Sequence, residues 1–366
     1  MVTAFLAVGV TTGVFLVLSV WLLISEKYLA NYGSVKVDIN QGSTIFERTG
    51  GVTLLNALYE NKIFIPSACG GKGSCGYCKV KVVSGGGPIL PTETGSLTRA
   101  EMKAGIRLAC QVKIKEDISI VLPEEILSVK QFRARVSSIL SLTYDIKEIN
   151  FALIDPVEIE HHPGQYIQVE APGPGEIVHR AYSISSPTYE KNKIQLIVRL
   201  VPGGIASTYL HGLKEGDEVA FTGPYGEFRL SEDINRNIVL VGGGCGMAPV
   251  KDIAYSVLEK WPARKVLLFF GARTTKDIFY LDQYRELEKK YQNFKVIYAL
   301  SDPLADEEQK KWTGETGFVH LSVDKYLDKG AQSQAFLCGP PPMIEAVTDV
   351  LKEKGLVNVD IFYDKF

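Results

Sequence analysis

Cys69, Cys75 and Cys78 crowd into ten residues with the spacing C-x5-C-x2-C, and Cys110 follows 32 positions later. These are four of the chain's six cysteines. Four thiolates can hold a 2Fe–2S cluster. Glycines at 70, 71, 73 and 76 suit a loop wrapped closely around it. Lacking Cβ, they allow left-handed dihedrals and let backbone N–H groups approach sulfur, and such hydrogen bonds help set a cluster's potential. A four-cysteine zinc site is the main rival. Zinc usually pairs its cysteines as two C-x2–4-C knuckles, whereas Cys110 stands alone after Leu108-Ala109. Disulfides are the other rival, and they require an oxidising compartment.

A second group lies farther along. In Arg180-Ala-Tyr-Ser183, the arginine can bind a phosphate in bidentate fashion. The tyrosine can lie against an isoalloxazine face, and the serine hydroxyl can hydrogen-bond flavin N5. Gly203 and Gly204 open Gly-Gly-Ile-Ala-Ser-Thr-Tyr-Leu. They free backbone at a helix start, where N–H groups and the helix dipole favour a pyrophosphate. Read blandly, both motifs are a barrel strand and a polar turn.

The third group is Ile238-Val-Leu-Val-Gly-Gly-Gly-Cys-Gly-Met-Ala-Pro249. An apolar strand runs into a glycine loop and then a helix, the form of a dinucleotide cradle, although the strict G-x-G-x-x-G fingerprint is absent. Gly242, Gly243, Gly244 and Gly246 line that loop. Cys245 reads as small packing within it. Ala335-Phe-Leu-Cys-Gly places Cys338 and Gly339 at the end of another apolar strand. His161-His162 has no third ligand at metal spacing and reads as an exposed turn.

The elements that must position these groups follow from pattern. The chain has 366 residues, 46% hydrophobic and 22% charged, with a net charge of −2. That gives room for two or three domains and no basic surface for nucleic acid. Thr3 to Ile24 carries no charge. At 1.5 Å per residue it would span about 33 Å, enough for a bilayer core. A cleavable signal would want a basic start and a shorter apolar core. Lys27 and Lys36 follow the segment, which places the C-terminal body in the cytoplasm. Short alternating segments from Val35 to about Glu125 fit an α+β β-grasp domain. Close-spaced strands from Phe132 to Leu200 fit an antiparallel β-barrel. Strands alternating with helices from Ile234 onward fit an α/β domain with a parallel sheet. The expected division is an anchor at 1–26, then 33–127, 129–231 and 234–366.

Cys69 to Cys78 with Arg107-Leu-Ala-Cys-Gln111 resembles a plant- or adrenodoxin-type ferredoxin. R-A-Y-S, G-G-I-A-S-T-Y-L, G-P-Y-G, G-G-G-C-G-M-A-P and C-G-P-P-P-M, in that order, resemble the ferredoxin-NADP reductase superfamily over residues 129–366. With the N-terminal apolar segment, the whole chain resembles the family of F subunits of Na+-translocating NADH:quinone reductases. That resemblance implies FAD, a 2Fe–2S cluster and NADH. It also implies other membrane subunits as partners, sodium transport, ubiquinone, and a single-pass place in the inner (cytoplasmic) membrane. Carried across, Cys69, Cys75, Cys78 and Cys110 hold the cluster. Arg180, Tyr182, Ser183, Gly203, Gly204, Ser207 and Thr208 hold FAD. Gly242, Gly243, Gly244, Gly246, Cys338 and Gly339 face NADH. Ser183, Cys338 and Phe366 stand at the reacting atoms, Phe366 by stacking on the flavin. Arg273 and Lys276 could serve a 2′-phosphate, but Asp277 beside them favours NADH over NADPH. Two other readings stay open: a reductase component feeding a monooxygenase, and a membrane-tethered ferredoxin carrier whose later modules are only structural.

Overall fold

Residues 9–21, 32–67, 69–175, 177–226, 230–302, 312–330 and 332–365 are described by the computed structural model. The chain divides after Val129 into two units.

In the first unit, residues 9–21 form helix α1, exposed along its whole length. The apolar segment expected to span a membrane runs beyond the described residues at both ends. Among the described residues no helix is long and apolar enough to cross a bilayer. A mixed sheet follows. Strand β1 (Ser34–Ile39) alternates buried and exposed residues, and β2 (Thr44–Thr49) pairs with it antiparallel. Helix α2 (Leu54–Glu60) starts where the Thr53 hydroxyl accepts the Asn56 N–H at 3.3 Å. It buries Leu54, Ala57 and Leu58. Strand β3 (Lys79–Ser84) leaves the cysteine loop. The short helices α3 (Pro91–Thr94) and α4 (Arg99–Lys103) lead to β4 (Ile106–Leu108), then β5 (Ile118–Val121) and α5 (Glu124–Leu127). The strand order is β2-β1-β5-β3-β4, with β1 and β5 parallel.

The second unit opens with β6 (Lys130–Ser141), β7 (Ile146–Asp155), β8 (Tyr166–Pro172), β9 (Ile177–Ser183) and β10 (Lys193–Arg199). Helix α6 (Ile205–Gly212) and β11 (Glu218–Tyr225) complete it. These strands form an antiparallel sheet in the order β10-β7-β6-β11-β8-β9. The expected antiparallel β-barrel is a half-barrel. Its edge strands meet through an isolated bridge, Ile184 to Leu196, just past the end of β9.

Then come β12 (Asn237–Gly242), α7 (Met247–Lys260), β13 (Val266–Ala272), α8 (Leu281–Lys290) and β14 (Phe294–Leu300). After these the chain forms β15 (Glu315–Thr316), α9 (Val319–Tyr326), β16 (Ser333–Gly339), α10 (Pro341–Glu353) and β17 (Ile361–Lys365). The sheet is parallel in the order β15-β14-β13-β12-β16-β17. Residues 238–242 and all of β16 are buried, as strands covered on both faces must be. The order reverses at β12. To one side the chain runs β13, β14, β15; to the other, β16 and β17. In open α/β sheets ligands bind in the crevice at such a switch point, outside the strand C-termini.

Candidate functional site

The cysteine loop is shaped by glycine. Gly70, Gly71, Gly73 and Gly76 take φ of 64°, 84°, 78° and 72°, the left-handed region expected of them from their crowding between cysteines. The thiols gather two by two. Cys78 Sγ and Cys110 Sγ lie 3.3 Å apart and buried. Cys69 and Cys75, half-buried, share a hydrogen bond. Burial raises the Cys69 thiol, but hydrogen bonds from Cys75 and Ser74 outweigh it and bring the group to about 7. The hydrogen bond from Cys78, with help from Gln111, brings Cys110 down to about 6, while Cys78 itself is raised. Gln111 Nε2 donates to Cys110 Sγ at 3.5 Å and to Gly71 O at 3.4 Å. Two thiol pairs fit a two-iron cluster, in which each iron takes two cysteine sulfurs.

Sequence reasoning missed the buttress of this loop. Arg107 and Glu93 form a buried ion pair, Nε to Oε2 at 2.9 Å and Nη2 to Oε1 at 2.6 Å. The guanidinium also donates to the carbonyls of Gly86, Gly87 and Pro88. Glu93 Oε2 accepts the Leu108 N–H at 3.0 Å, two residues before Cys110. The one available signal was an arginine inside an apolar strand leading to a cysteine.

In the second unit, β9 delivers Arg180, Tyr182 and Ser183. Arg180 and Tyr182 share a strand face. The Tyr182 ring packs on the half-barrel core, and burial pushes its hydroxyl up to about 12. Arg180 Nη1 donates to His179 O at 2.8 Å. Among the described residues its other nitrogens make no hydrogen bond, so they can meet a phosphate. Gly203 turns at φ 73° with nothing within 4 Å of where its Cβ would be. Gly204 caps α6, and a Cβ there would meet Ser207 Oγ at 2.6 Å. The Ser207 hydroxyl accepts the Val201 N–H at 3.1 Å, so it holds the turn in shape. Thr208 is exposed on the first turn of α6. The residues fit a flavin phosphate tail lying at this turn.

At the switch point, Gly242 pairs in register with Cys338, and Cys338 with Asp364. A Cβ on Gly243 would reach 2.5 Å from Gly271 O, and one on Gly242 would meet Met247 and Gly246. Any side chain at these positions would push the loop away from β13 or from the start of α7. A Cβ on Gly244 would collide with Arg199, whose Nε pairs with Asp145 Oδ2 at 3.2 Å. Gly339 ends β16 against Met343. Burial pushes the Cys338 thiol well up and the Asp364 carboxyl up to about 6. Tyr182 lies within electrostatic range of Cys245, and Cys245 within range of Cys338. Tyr182 of the half-barrel motif and Cys245 of the glycine loop, 63 residues apart in sequence, are thus near neighbours in electrostatic terms. Arg199, Asp145 and Asp364 were not identified from sequence.

His161, expected in an exposed turn, is buried. It is 8% accessible, with Nε2 3.3 Å from Ser186 O and 3.7 Å from Asp252 Oδ2. Its burial comes from a residue of α7 that local sequence does not reveal. Asp277 Oδ2 accepts the Thr274 N–H at 2.9 Å, so that carboxylate is engaged in its own turn. Phe366 lies outside the described residues.

Comparison with known proteins agrees with this geometry. Family descriptions match the 2Fe-2S iron-sulfur cluster binding domain at residues 37–115 and the oxidoreductase FAD-binding domain at 133–230. The oxidoreductase NAD-binding domain matches at 240–349. The Na(+)-translocating NADH-quinone reductase F subunit of Klebsiella pneumoniae is 37% identical, over 99% of this chain and 98% of its own. That of Serratia proteamaculans is 35% identical over the same shares. Among solved structures, an Amycolatopsis cytochrome P450 reductase has a TM-score of 0.71 at 29% identity, covering 91% of this chain and 98% of its own. The ferredoxin reductase in carbazole 1,9a-dioxygenase has a TM-score of 0.68 at 26% identity, covering 91% and 99%. The chain carries 2Fe–2S, FAD and NAD binding domains, and it belongs to the family of F subunits of Na+-translocating NADH-quinone reductases.

Proposed function

We propose that this chain oxidises NADH and passes the electrons to a further redox subunit of a membrane-bound, Na+-translocating NADH:quinone reductase. The observation that supports it most is that Tyr182 of β9 lies within electrostatic range of Cys245, in the glycine loop that leaves β12 at the switch point. The bound groups would supply hydride donation from NADH, two-electron storage on FAD and one-electron transfer at the cluster.

The chain's own residues then have distinct tasks. Arg180 binds a flavin phosphate, Tyr182 covers a ring face, and Ser183 directs its hydroxyl at N5. Gly203 and Gly204 open the α6 N-terminus to the pyrophosphate, with Ser207 and Thr208 completing that turn. Gly242, Gly243, Gly244 and Gly246 admit the dinucleotide backbone, and Arg199 adds a cation beside it. Cys338 and Gly339 would lie near the nicotinamide, and Phe366, outside the described residues, would serve as the ring that covers the flavin and gives way to the nicotinamide. Cys69, Cys75, Cys78 and Cys110 ligate the cluster. Residues 1–26 anchor the chain in the inner membrane, with modules at 33–127, 129–231 and 234–366 in the cytoplasm. NADH is the preferred donor. The exposed apolar α1 supports the anchor, since a patch that large is covered by something.

Adding NADH to the purified full chain should bleach the flavin and then reduce the cluster. Copurification should recover membrane subunits. A flavin that stays oxidised under NADH would overturn the reading. The P450 reductase likeness supports a second reading, a reductase serving an oxygenase. It matches 91% of the chain, whereas the Na+-translocating reductase relatives match 99%. An oxygenase recovered in place of membrane subunits would favour that alternative.

A further inference from the structure

Helix α7 leaves the glycine loop directly, and eleven of its fourteen residues are buried. Three of those eleven are polar: Lys251, Asp252 and Ser256, at 7%, 0% and 6% exposure. At positions i, i+1 and i+5 they share one side of the helix. That side meets the half-barrel.

Each of the three is engaged there. Lys251 Nζ donates to Gln195 Oε1 and stands 3.7 Å from Glu148 Oε2 and 4.6 Å from the Tyr280 ring centre. Tyr280 donates its hydroxyl to the same Glu148 carboxylate, and Asn150 Nδ2 reaches the other oxygen at 3.1 Å. Gln195 Nε2 donates to Asn150 Oδ1 at 2.8 Å, which closes the ring of contacts. Asp252 Oδ2 accepts the Gly164 N–H at 2.9 Å and faces His161. Ser256 Oγ donates to Asp252 Oδ1 at 2.9 Å and accepts the Thr188 N–H at 3.0 Å.

The far ends of these contacts converge on one stretch. Ser185 Oγ donates to Gln195 Oε1 at 3.1 Å, and Ser186 O faces His161 at 3.3 Å. Thr188 is two residues farther. All three lie within five residues of Ser183, the end of β9. Gly164 precedes Gln165, whose carbonyl accepts the Ile184 N–H at 2.9 Å. So the helix that begins at the dinucleotide loop is bonded, from several directions, to the segment that carries the flavin motif.

Burying a lysine and an aspartate is a poor way to gain stability. Desolvation offsets most of the attraction, and an apolar pair often does as well. What a buried, fully partnered charge does supply is a single register, because every other docking leaves it unpaired. We propose that Lys251, Asp252 and Ser256 are positioning residues for hydride transfer, fixing the nicotinamide cradle against the strand that ends in Ser183. The inference rests on the proposed NADH-to-flavin reaction and adds to it which residues set the reacting distance. The contacts of the three are to protein groups, so they act through α7 on one side and residues 184–188 on the other.

The test uses the full chain with FAD bound. In Lys251→Met, flavin reduction at saturating NADH should slow about tenfold to a hundredfold, since about 1 Å of misplacement costs about 10²-fold. KM for NADH and FAD occupancy should stay within about twofold, because the two cradles are separately intact. Lys251→Met/Glu148→Gln removes both charges; the oxygen that remains can accept from Asn150, and the new amide N–H can donate to the Tyr280 hydroxyl. Its melting temperature should recover while its rate stays low. Recovery of the rate along with the melting temperature would show a purely stabilising role and overturn the proposal. So would an unchanged rate in Lys251→Met. Should that variant lose FAD, Ser256→Ala decides: it deletes one hydroxyl and should slow reduction, and an unchanged rate there overturns the proposal. Failure of the underlying reaction would look different, since the unaltered chain itself would then not bleach with NADH.

Discussion

The cluster loop and the flavin–nicotinamide site hold their chemistry in opposite ways. The first is nearly continuous in sequence and is shaped by main chain, four glycines at positive φ setting where three of the four sulfurs point. The second draws on residues of β9, β10, β16 and β17 as well as the glycine loop after β12, and no single segment carries it. The cluster loop concentrates its dependence on a few positions that cannot vary. The hydride site spreads its dependence over many contacts, each worth a little. Loss of one residue should therefore be all-or-none at the first and graded at the second.

The sharpest test of that contrast is Cys110→Ala. The 2Fe–2S absorption should vanish, while FAD remains bound and NADH oxidation by a two-electron acceptor continues. A surviving iron signal would remove Cys110 from the ligand set. Next in size is Arg107→Ala, which leaves Glu93 buried without its counter-charge. Breaking such a pair costs about 3–5 kcal/mol, so thermal unfolding of the first unit should shift sharply, with cluster content falling alongside. Normal cluster content would separate the buttress from the loop.

Arg180→Ala should weaken FAD by a charge-assisted contact, about 1.5–3 kcal/mol, measured as flavin loss on gel filtration. Full retention would reduce the motif to half-barrel structure. The smallest effect is expected at Asp364, whose carboxyl burial raises to about 6. Unfolded, it would titrate near 3.9. Between those values the folded chain holds the extra proton, so this group's contribution falls as pH rises through about 6. Asp364→Asn should then raise stability at about pH 7.5 by about 1–2 kcal/mol, and by almost nothing near pH 4. Equal gains at both would assign the effect to something other than titration.

The strands, α2, α7 and the cysteine loop could be read from sequence, because period-2 alternation, apolar runs and glycine clusters are local signals. The half-barrel could not, since its closure turns on how closely two strands, β9 and β10, approach. His161 and Lys251 show the other limit. A histidine in a Pro-Gly turn reads as solvated and nothing local marks Lys251 as buried; Asp252, Gln195 and Glu148, brought in by the fold, partner them. Arg199 escaped notice because its neighbour in space, Gly244, lies 45 residues away in sequence.

The seam beneath α7 also bears on how such proteins can be recombined. Glu148, Gln195 and Gly164 are on the half-barrel side; Lys251, Asp252 and Ser256 are on the other. A hybrid that joined this nicotinamide half to a foreign flavin half would inherit one set without its counterpart. Two desolvated charges would be stranded, and the hybrid would fold poorly even with both cofactor motifs intact. The exchangeable piece is therefore the pair of domains, and a successful cut between them must carry the six residues across together.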